Sequence, residues 1–389
     1  MRAGTLTFPA IERIVYGHPA ADALLDEVER LHAERVFLLV SGTMNRTTDE
    51  VQSVRDALGS RYAAQFDAMP PHTPRDAVLK ATAVARAAEA DLIVTFGGGS
   101  CTDAGKMVQI CLRHDITDLD HFDAFRTVVE PDGRRHVPSF DAPTVRQIAI
   151  PTTLSAGEFN AQAGCTDTQA RVKHSYRHPL IVPRVTIFDP VPTVHTPLWV
   201  WLSSGVRAID HATEGLCSQY SSPVGDASYV QALKLLSKGL RRVKRDPLDL
   251  DARLDCQLGI WLSMAGRQGG AQMGASHAIG HVLGGTCHVP HGYTSCVMLA
   301  HVLRYNRAVN ADRQRGVAEA MGRPGDDAAD VIADLVAELG LPGRLSEVGV
   351  GSDQFAAIAA HALHDSWLHA NPRKIDSAEQ VLQLLEAAA

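Results

Sequence analysis

Near residue 195 the grammar of this chain changes, and that change limits the folds open to it. Before it, short apolar runs rich in β-branched residues alternate with amphipathic stretches and end in polar or glycine-rich turns, the pattern of parallel βαβ units. Residues 20–31, 49–59 and 76–90 read as helices, and residues 35–40, 91–96, 146–150 and 185–188 as strands. Residues 128–137, with Pro131, Asp132 and Gly133 at their centre, read as a small hairpin. After the proline-punctuated stretch from Asp189 to Pro197, strand alternation gives way to Ala-, Leu- and His-rich segments of helical period at 228–241, 251–266, 327–338 and 377–388. The expectation is an α/β domain over residues 1–195 and an all-α domain over residues 196–389, with a cleft between them as the natural place for a site. No internal repeat or low-complexity linker interrupts this plan.

With 389 residues, 45% hydrophobic and 21% charged, the chain is long enough to build two cores. A formal charge of −7 without any basic block argues against nucleic acid or an anionic membrane as partner, and for a small-molecule substrate. The stretch from Met1 to Pro9 lacks a signal-peptide core, and no run approaches the roughly twenty apolar residues that span a bilayer, so a cytoplasmic location is expected. Cys101, Cys111, Cys165, Cys217, Cys256, Cys287 and Cys296 form no C-x-x-C pair and leave one over, which fits free thiols.

Two stretches carry chemistry. In the first, Gly97, Gly98, Gly99 and Ser100 follow an apolar strand and open a helix that runs on through Asp103 and Lys106. Backbone N–H groups and the positive helix end then face whatever lies above the strand, and the glycines let a pyrophosphate come close. The plainer reading is a tight strand-to-helix turn with no ligand. Ser100 and Met107 break the Walker pattern, which argues against ATP hydrolysis, and Thr102 breaks G-x-G-x-x-G. Independent support for a dinucleotide comes from Thr152, Thr153 and Ser155, where a strand end runs into hydroxyls that can bond a ribose or a nicotinamide carboxamide.

The second stretch places His277, His281, His288 and His291 within fifteen residues. On a helix His277 and His281 share a face, and His291 follows in a Pro290-His291-Gly292 turn that would bring up a third imidazole. Such a cluster suits a metal or proton transfer, although a pair at this spacing is by itself more often structural. Ala278 stands where a zincin protease requires Glu, which excludes that chemistry.

Together with Gly205-Val206-Arg207-Ala208-Ile209-Asp210-His211, these motifs form an ordered set, and from Phe8 to Arg373 the chain resembles the iron-containing alcohol dehydrogenase family. The resemblance implies a dehydroquinate synthase-like architecture, an NAD(P)-binding α/β domain followed by an all-α domain, and a homodimer paired through N-terminal strands. It implies that Gly97, Gly98, Gly99, Ser100 and Asp103 hold the pyrophosphate side of NADH or NADPH, and Thr152, Thr153 and Ser155 the nicotinamide side. Gly42 stands near the place where NAD-specific members carry an Asp for the ribose 2′-hydroxyl, so NADPH should be tolerated, although no obvious Arg marks a pocket for its extra phosphate.

In metal-dependent members one Asp and three His bind Fe²⁺ or Zn²⁺. Here His211, His277 and His291 match the histidines, but Arg207 takes the place of the Asp. A guanidinium has no lone pair to offer and repels a divalent cation. Asp210 is rotated by roughly 300° about the helix from Arg207 and reads as off the ligand position. The departure resembles the maleylacetate reductase branch, regarded as working without metal, and the turn Ala156-Gly157-Glu158 shares that character. In that branch's chemistry Arg207 would grip a substrate carboxylate or polarise a carbonyl, and His281 would relay a proton; the plainer role for Arg207 is an ion pair with Asp210 or Glu214. Three readings follow. One is an NAD(P)H-dependent reductase of a carbonyl or enone in a small carboxylate-bearing substrate. The second is a metal-dependent alcohol dehydrogenase on His211, His277 and His291. The third is a non-redox lyase, cyclase or binding protein on the same scaffold.

Overall fold

The apolar runs of the first half become the strands of one parallel sheet. In the computed structural model, which describes residues 5–129 and 135–389, the strands in chain order are β1 (Arg13–Tyr16), β2 (Val36–Val40), β3 (Tyr62–Phe66), β4 (Leu92–Gly97), β5 (Val128–Val129), β6 (Arg135–His136), β7 (Arg146–Pro151), β8 (Gln162–Asp167), β9 (Val172–Arg177) and β10 (Val185–Phe188). Six of them form the sheet, in the order β1-β10-β7-β4-β2-β3, with every neighbouring pair parallel. The central strands read as continuous apolar runs because helices cover both faces. Along β2 the side chains alternate: Val36, Leu38 and Val40 pack with Leu24, Val28, Val51 and Val54 of α1 (Ala20–Arg30) and α3 (Glu50–Leu58). Phe37 and Leu39 pack on the other face with Val78, Ala81, Met107 and Val108 of α4 (Arg75–Ala87) and α5 (Gly99–Arg113), and the short α2 (Gly42–Thr47) follows β2 directly.

The helix α5 lies unusually close beneath the sheet. A Cβ on Gly105 would fall 2.5 Å from Thr95 Cγ2 and 2.8 Å from Gln147 Nε2, so this glycine lets the helix approach β4 and β7. Beneath it, buried Gln147 donates to Thr95 Oγ1 (2.7 Å) and accepts from Gln109 (3.1 Å), pairing polar groups that would otherwise be stranded.

Several expected elements are reproduced, and a few depart. The helix expected at 76–90 ends at Ala87, and Glu89 takes a left-handed backbone (φ 48°) that turns the chain into β4. Residues 128–129 and 135–136 do pair antiparallel, while the turn expected at Pro131-Asp132-Gly133 lies outside the described residues. The β8–β9 hairpin was not expected, because the residues it alternates into the core, Ala163, Cys165 and Tyr176, are too few and too small a signal among polar neighbours. It is pinned as well by buried Arg75, whose guanidinium reaches Asp167 (3.0 Å), Asp123 (2.7 Å) and Tyr176 Oη (2.9 Å).

The strand-bearing unit spans Phe8–Thr196; the second unit is Pro197–Ala389 together with residues 5–7, where Thr7 N–H donates to the Gln268 carbonyl (3.1 Å). It is built from α6 (Leu198–Cys217), α7 (Pro223–Arg245), α8 (Leu250–Ala265), α9 (Ala275–Thr286), α10 (His291–Ala320), α11 (Ala328–Leu339), α12 (Phe355–Ala362) and α13 (Ala378–Ala387). Most of α6 is buried, including the polar side chains of Ser203, Arg207, Asp210, Thr213 and Glu214. His291 is not in a free turn: Pro290 caps α10 and His291 is its first helical residue. The seven cysteines are unpaired, and no described helix is long and apolar enough to cross a membrane.

Candidate active site

At the carboxyl ends of β2, β4 and β7 three backbone segments converge. Ser41 N–H donates to the Phe96 carbonyl (2.8 Å) and Thr152 N–H to the Gly97 carbonyl (3.0 Å), locking the strand ends together. Gly98 caps α5 without any side-chain bond, so the first N–H groups of that fifteen-residue helix are left to be satisfied from outside. A Cβ on Gly98 would lie 3.2 Å from Thr153 Cγ2, and one on Gly99 would lie 3.0 Å from Ser155 Oγ. The glycine loop and the hydroxyl loop, more than fifty residues apart, thus form one cradle that side chains would fill. Thr153 Oγ1 is buried there without a partner. These residues fit a dinucleotide: donors, clearance and an unsatisfied hydroxyl lie together.

Ser100 and Asp103, expected to hold the pyrophosphate, turn to the protein. Ser100 Oγ accepts from His72 N–H (3.1 Å), while Asp103 accepts from Gly164 N–H (3.1 Å) and stands 3.5 Å from Lys106 Nζ. They brace the loop from behind. Gly42 is required by the fold as well, since a Cβ there would fall 2.3 Å from the Asp67 carbonyl oxygen.

Below the hydroxyl loop sits a buried charge cluster that sequence reasoning did not single out. Lys106 is fully buried and donates to the carbonyls of Gly157 and Gln162, both at 2.7 Å. Glu158 is fully buried too, and neither carboxylate oxygen has a hydrogen-bond partner. Loss of hydration pushes its carboxyl up to about 7, against the opposing pull of Lys106. Only burial reveals this residue, because a Glu in a Gly-rich turn reads as solvent-exposed.

In the helical unit the histidine pair projects from one face of α9, as the spacing requires. Trp367 lies against both rings, with centroids 5.8 Å from His277 and 4.9 Å from His281. His281 is partly exposed, and its Nδ1 bonds Asp365 Oδ2 at 2.7 Å. Burial lowers its pKa below the ordinary imidazole value, and Asp365 opposes that shift. His277 is fully buried and lies with its ring centroid 4.6 Å from that of His211, while exposed His291 opens α10. Burial also lowers the pKa of His211 far below the ordinary value.

Around His277 two carboxylates converge from α6. Glu214 Oε2 is 2.8 Å from His277 Nδ1 and accepts from Gly274 N–H (2.8 Å), and Oε1 accepts from Ser276 N–H (2.9 Å). Asp210 Oδ2 accepts from Ser276 Oγ (2.7 Å) and Ser295 Oγ (2.6 Å), and Oδ1 is 3.5 Å from His277 Nδ1. Burial would raise the Asp210 carboxyl, but His277 and Arg207 hold it below its ordinary value. Arg207, also buried, donates from Nη1 to Ser295 Oγ (3.1 Å) and Thr294 Oγ1 (3.4 Å) and lies 4.0 Å from Asp210. Asp210 therefore shares a face with Arg207, since the expected rotation is equivalent to only about 60° in the other sense. The i, i+3, i+7 spacing of Arg207, Asp210 and Glu214 was the available signal.

Among the described residues, the ligand atoms of Asp210, Glu214 and His277 lie close to one another. This trio fits a divalent cation poorly. Glu214 already accepts from two backbone N–H groups and lies in hydrogen-bonding contact with His277, Asp210 accepts from two hydroxyls, and a guanidinium adjoins. His277 Nε2 and His211 Nδ1 are buried without hydrogen-bond partners.

Residues 11–190 match the family described as iron-containing alcohol dehydrogenase, and residues 201–389 match its C-terminal domain. The chain belongs to the iron-containing alcohol dehydrogenase family. It is 31% identical to Dehydrogenase FUM7 of Gibberella moniliformis, covering 97% of this chain and 96% of that protein. It is also 31% identical to maleylacetate reductase 1 of Cupriavidus pinatubonensis, covering 95% of this chain and 94% of that protein. The crystal structure of maleylacetate reductase from Rhizobium sp. strain MTP-10005 superposes with a TM-score of 0.83 at 28% identity, covering 100% of this chain and 98% of that one. This family member is an NAD(P)-dependent oxidoreductase whose similarity within the family runs to the maleylacetate reductase branch.

Two outcomes follow for the enzyme. Gly98→Val places methyls where Thr153 already crowds the cradle, so it should abolish the fluorescence enhancement of bound NAD(P)H while leaving the fold intact; normal enhancement in a folded variant would move the cofactor elsewhere. The second concerns pH. Between the ordinary carboxyl value of 4.5 and the raised value of about 7, folded Glu158 keeps a proton that the unfolded chain has released. Stability therefore falls as pH rises through that window, by about 3 kcal/mol in total at ~1.4 kcal/mol per unit. Glu158→Gln should remove this decline, and urea denaturation of both proteins at pH 5 and pH 7.5 checks it. Parallel curves would mean that Glu158 is hydrated.

Proposed function

We propose that this enzyme reduces an electrophilic carbon, a carbonyl or an enone, in a small carboxylate-bearing molecule, using NAD(P)H and no metal ion at the histidine cluster. Arg207 is the observation that carries the reading. Its guanidinium is buried, Nε has no partner, Nη1 holds two hydroxyls at 3.1 and 3.4 Å, and Asp210 is no nearer than 4.0 Å. Burial lowers its pKa, the signature of a cation that its surroundings do not fully compensate. An anion would satisfy the spare donors. The relatives named as maleylacetate reductases support this, since by that name their substrate carries carboxylates.

The dihydronicotinamide supplies a hydride when bound. The cradle of Gly98, Gly99 and Thr153 would admit the cofactor's backbone and hold its carboxamide. Arg207 would hold the substrate's negative charge, doing electrostatically what a cation does in metal-dependent members. His281, with Nδ1 bound to Asp365, presents Nε2 as the proton carrier to the atom that takes up the electron pair. Buried His277 and His211 pack the site behind it.

Metal analysis and kinetics test this together. Activity should survive exhaustive chelation, and Arg207→Ala should lower kcat/KM by about 10- to 100-fold for loss of a charge-assisted contact. Stoichiometric Fe²⁺ or Zn²⁺ with inactivation by chelators would overturn the metal-free reading. Separately, His281→Ala should cost about 10²–10⁴ in turnover with little change in NAD(P)H affinity; undiminished turnover would remove His281 from the mechanism.

A further inference from the structure

The sequence offers no obvious cation for the 2′-phosphate that distinguishes NADPH from NADH, yet the fold supplies one. In the sheet, β4 carries the glycine loop, β7 lies on one side of it and β2 on the other. A pyrophosphate over Gly98 and Gly99, with the nicotinamide toward Thr153 at the end of β7, directs the adenosine ribose toward the end of β2. Ser41 is in place there, its Cβ 3.2 Å from the position a Gly97 Cβ would take. Next along the chain comes Gly42, and one turn later Arg46, near the end of α2.

Arg46 is an exposed residue whose guanidinium folds back over the start of α2. Its Nη1 lies 2.8 Å, and its Cζ 3.5 Å, from the point a Gly42 Cβ would occupy, so the guanidinium lies over the bare glycine backbone. Any side chain at position 42 would displace it. Among the described residues Arg46 makes no hydrogen bond or ion pair. The carbonyl oxygen of Asp67, just past β3, reaches the same place, while its carboxylate is held by Asn45 Nδ2, which donates to Oδ2 at 2.7 Å. A guanidinium without a hydrogen-bond or ion-pair partner among the described residues thus lies where a ribose 2′-substituent would arrive, with hydroxyl-bearing Ser41 and Thr43 close by in sequence.

We propose that Arg46, laid over Gly42, is the 2′-phosphate anchor that makes the enzyme prefer NADPH. The inference rests on the glycine-loop reading of cofactor binding. A guanidinium engages a phosphate dianion through two parallel N–H···O bonds, whereas a ribose hydroxyl offers it only a single weak acceptor. Asn45 engages the Asp67 carboxylate, and among the described residues Asp67 and Arg46 form no ion pair.

The test measures dissociation constants of NADPH and NADH for the full-length enzyme and for Arg46→Ala and Asp67→Asn, with adenosine 2′,5′-bisphosphate and 5′-AMP as competing probes. The wild type should bind NADPH at least about tenfold more tightly than NADH. Arg46→Ala should weaken NADPH and the bisphosphate by about 10- to 100-fold, with less than a threefold effect on NADH and 5′-AMP. Asp67→Asn should leave or increase the NADPH preference. The inference fails if NADH binds as tightly as NADPH, if Arg46→Ala does not alter their ratio, or if Asp67→Asn selectively weakens NADH, which would make Asp67 a ribose ligand. Failure of both dinucleotides to bind wild-type enzyme would overturn the glycine-loop assignment and this inference with it.

Discussion

The carboxylate of Glu214 organises the helical half. The helix α9 starts at a glycine with no side chain of its own to cap it, so its first N–H groups are orphaned inside the protein. Glu214, reaching from α6, takes two of them and meets His277 Nδ1 as well. One buried group therefore fixes where α9 begins, how it is rotated and which nitrogen of His277 faces away. With an imidazole proton on the Glu214 side, His277 Nε2 is the nitrogen left without a partner. His281, one turn on, inherits its direction from the same constraint.

Beside that carboxylate lies an arrangement that depends on internal charge compensation. Arg207 and Asp210 are both buried, and Ser276, Ser295 and Thr294 divide the remaining hydrogen bonds between them. Removing either charged member would strand the other in a low-dielectric interior, which typically costs about 3–5 kcal/mol. The two charges are therefore best understood as a unit. On α6 the Arg207 guanidinium and the Asp210 carboxylate lie 4.0 Å apart, and Arg207 Nε keeps no partner.

The α/β half works by absence rather than by side chains. Its cradle exists because Gly98 and Gly99 leave room beside Thr153 and Ser155, and because Gly105 lets α5 rise against the sheet. Ser100 and Asp103 contribute by bracing, with bonds to His72 and Gly164. Glu158 is the exception, a buried carboxyl without a partner close to this frame. Such a group is retained at a cost in stability, which is how sites that handle charge commonly differ from inert packing.

Local patterns were enough for the sequence by itself to determine the architecture, the glycine loop and the shared face of His277 and His281. Periods of two and 3.6 residues, and the steric freedom of glycine, act over a few residues and need no knowledge of the rest. The β8–β9 hairpin escaped this reading because its short alternation of Ala163 and Cys165 is weak and Arg75, distant in sequence, helps to pin it. Tertiary structure alone decided that Ser100 and Asp103 face inward, that Asp210 and Glu214 surround His277, that Glu158 is buried, and that Arg46 lies over Gly42. Each of these is a partnership between groups whose encounter is set by packing. Polar side chains keep several possible partners until burial removes water from the competition, and only then does one arrangement win.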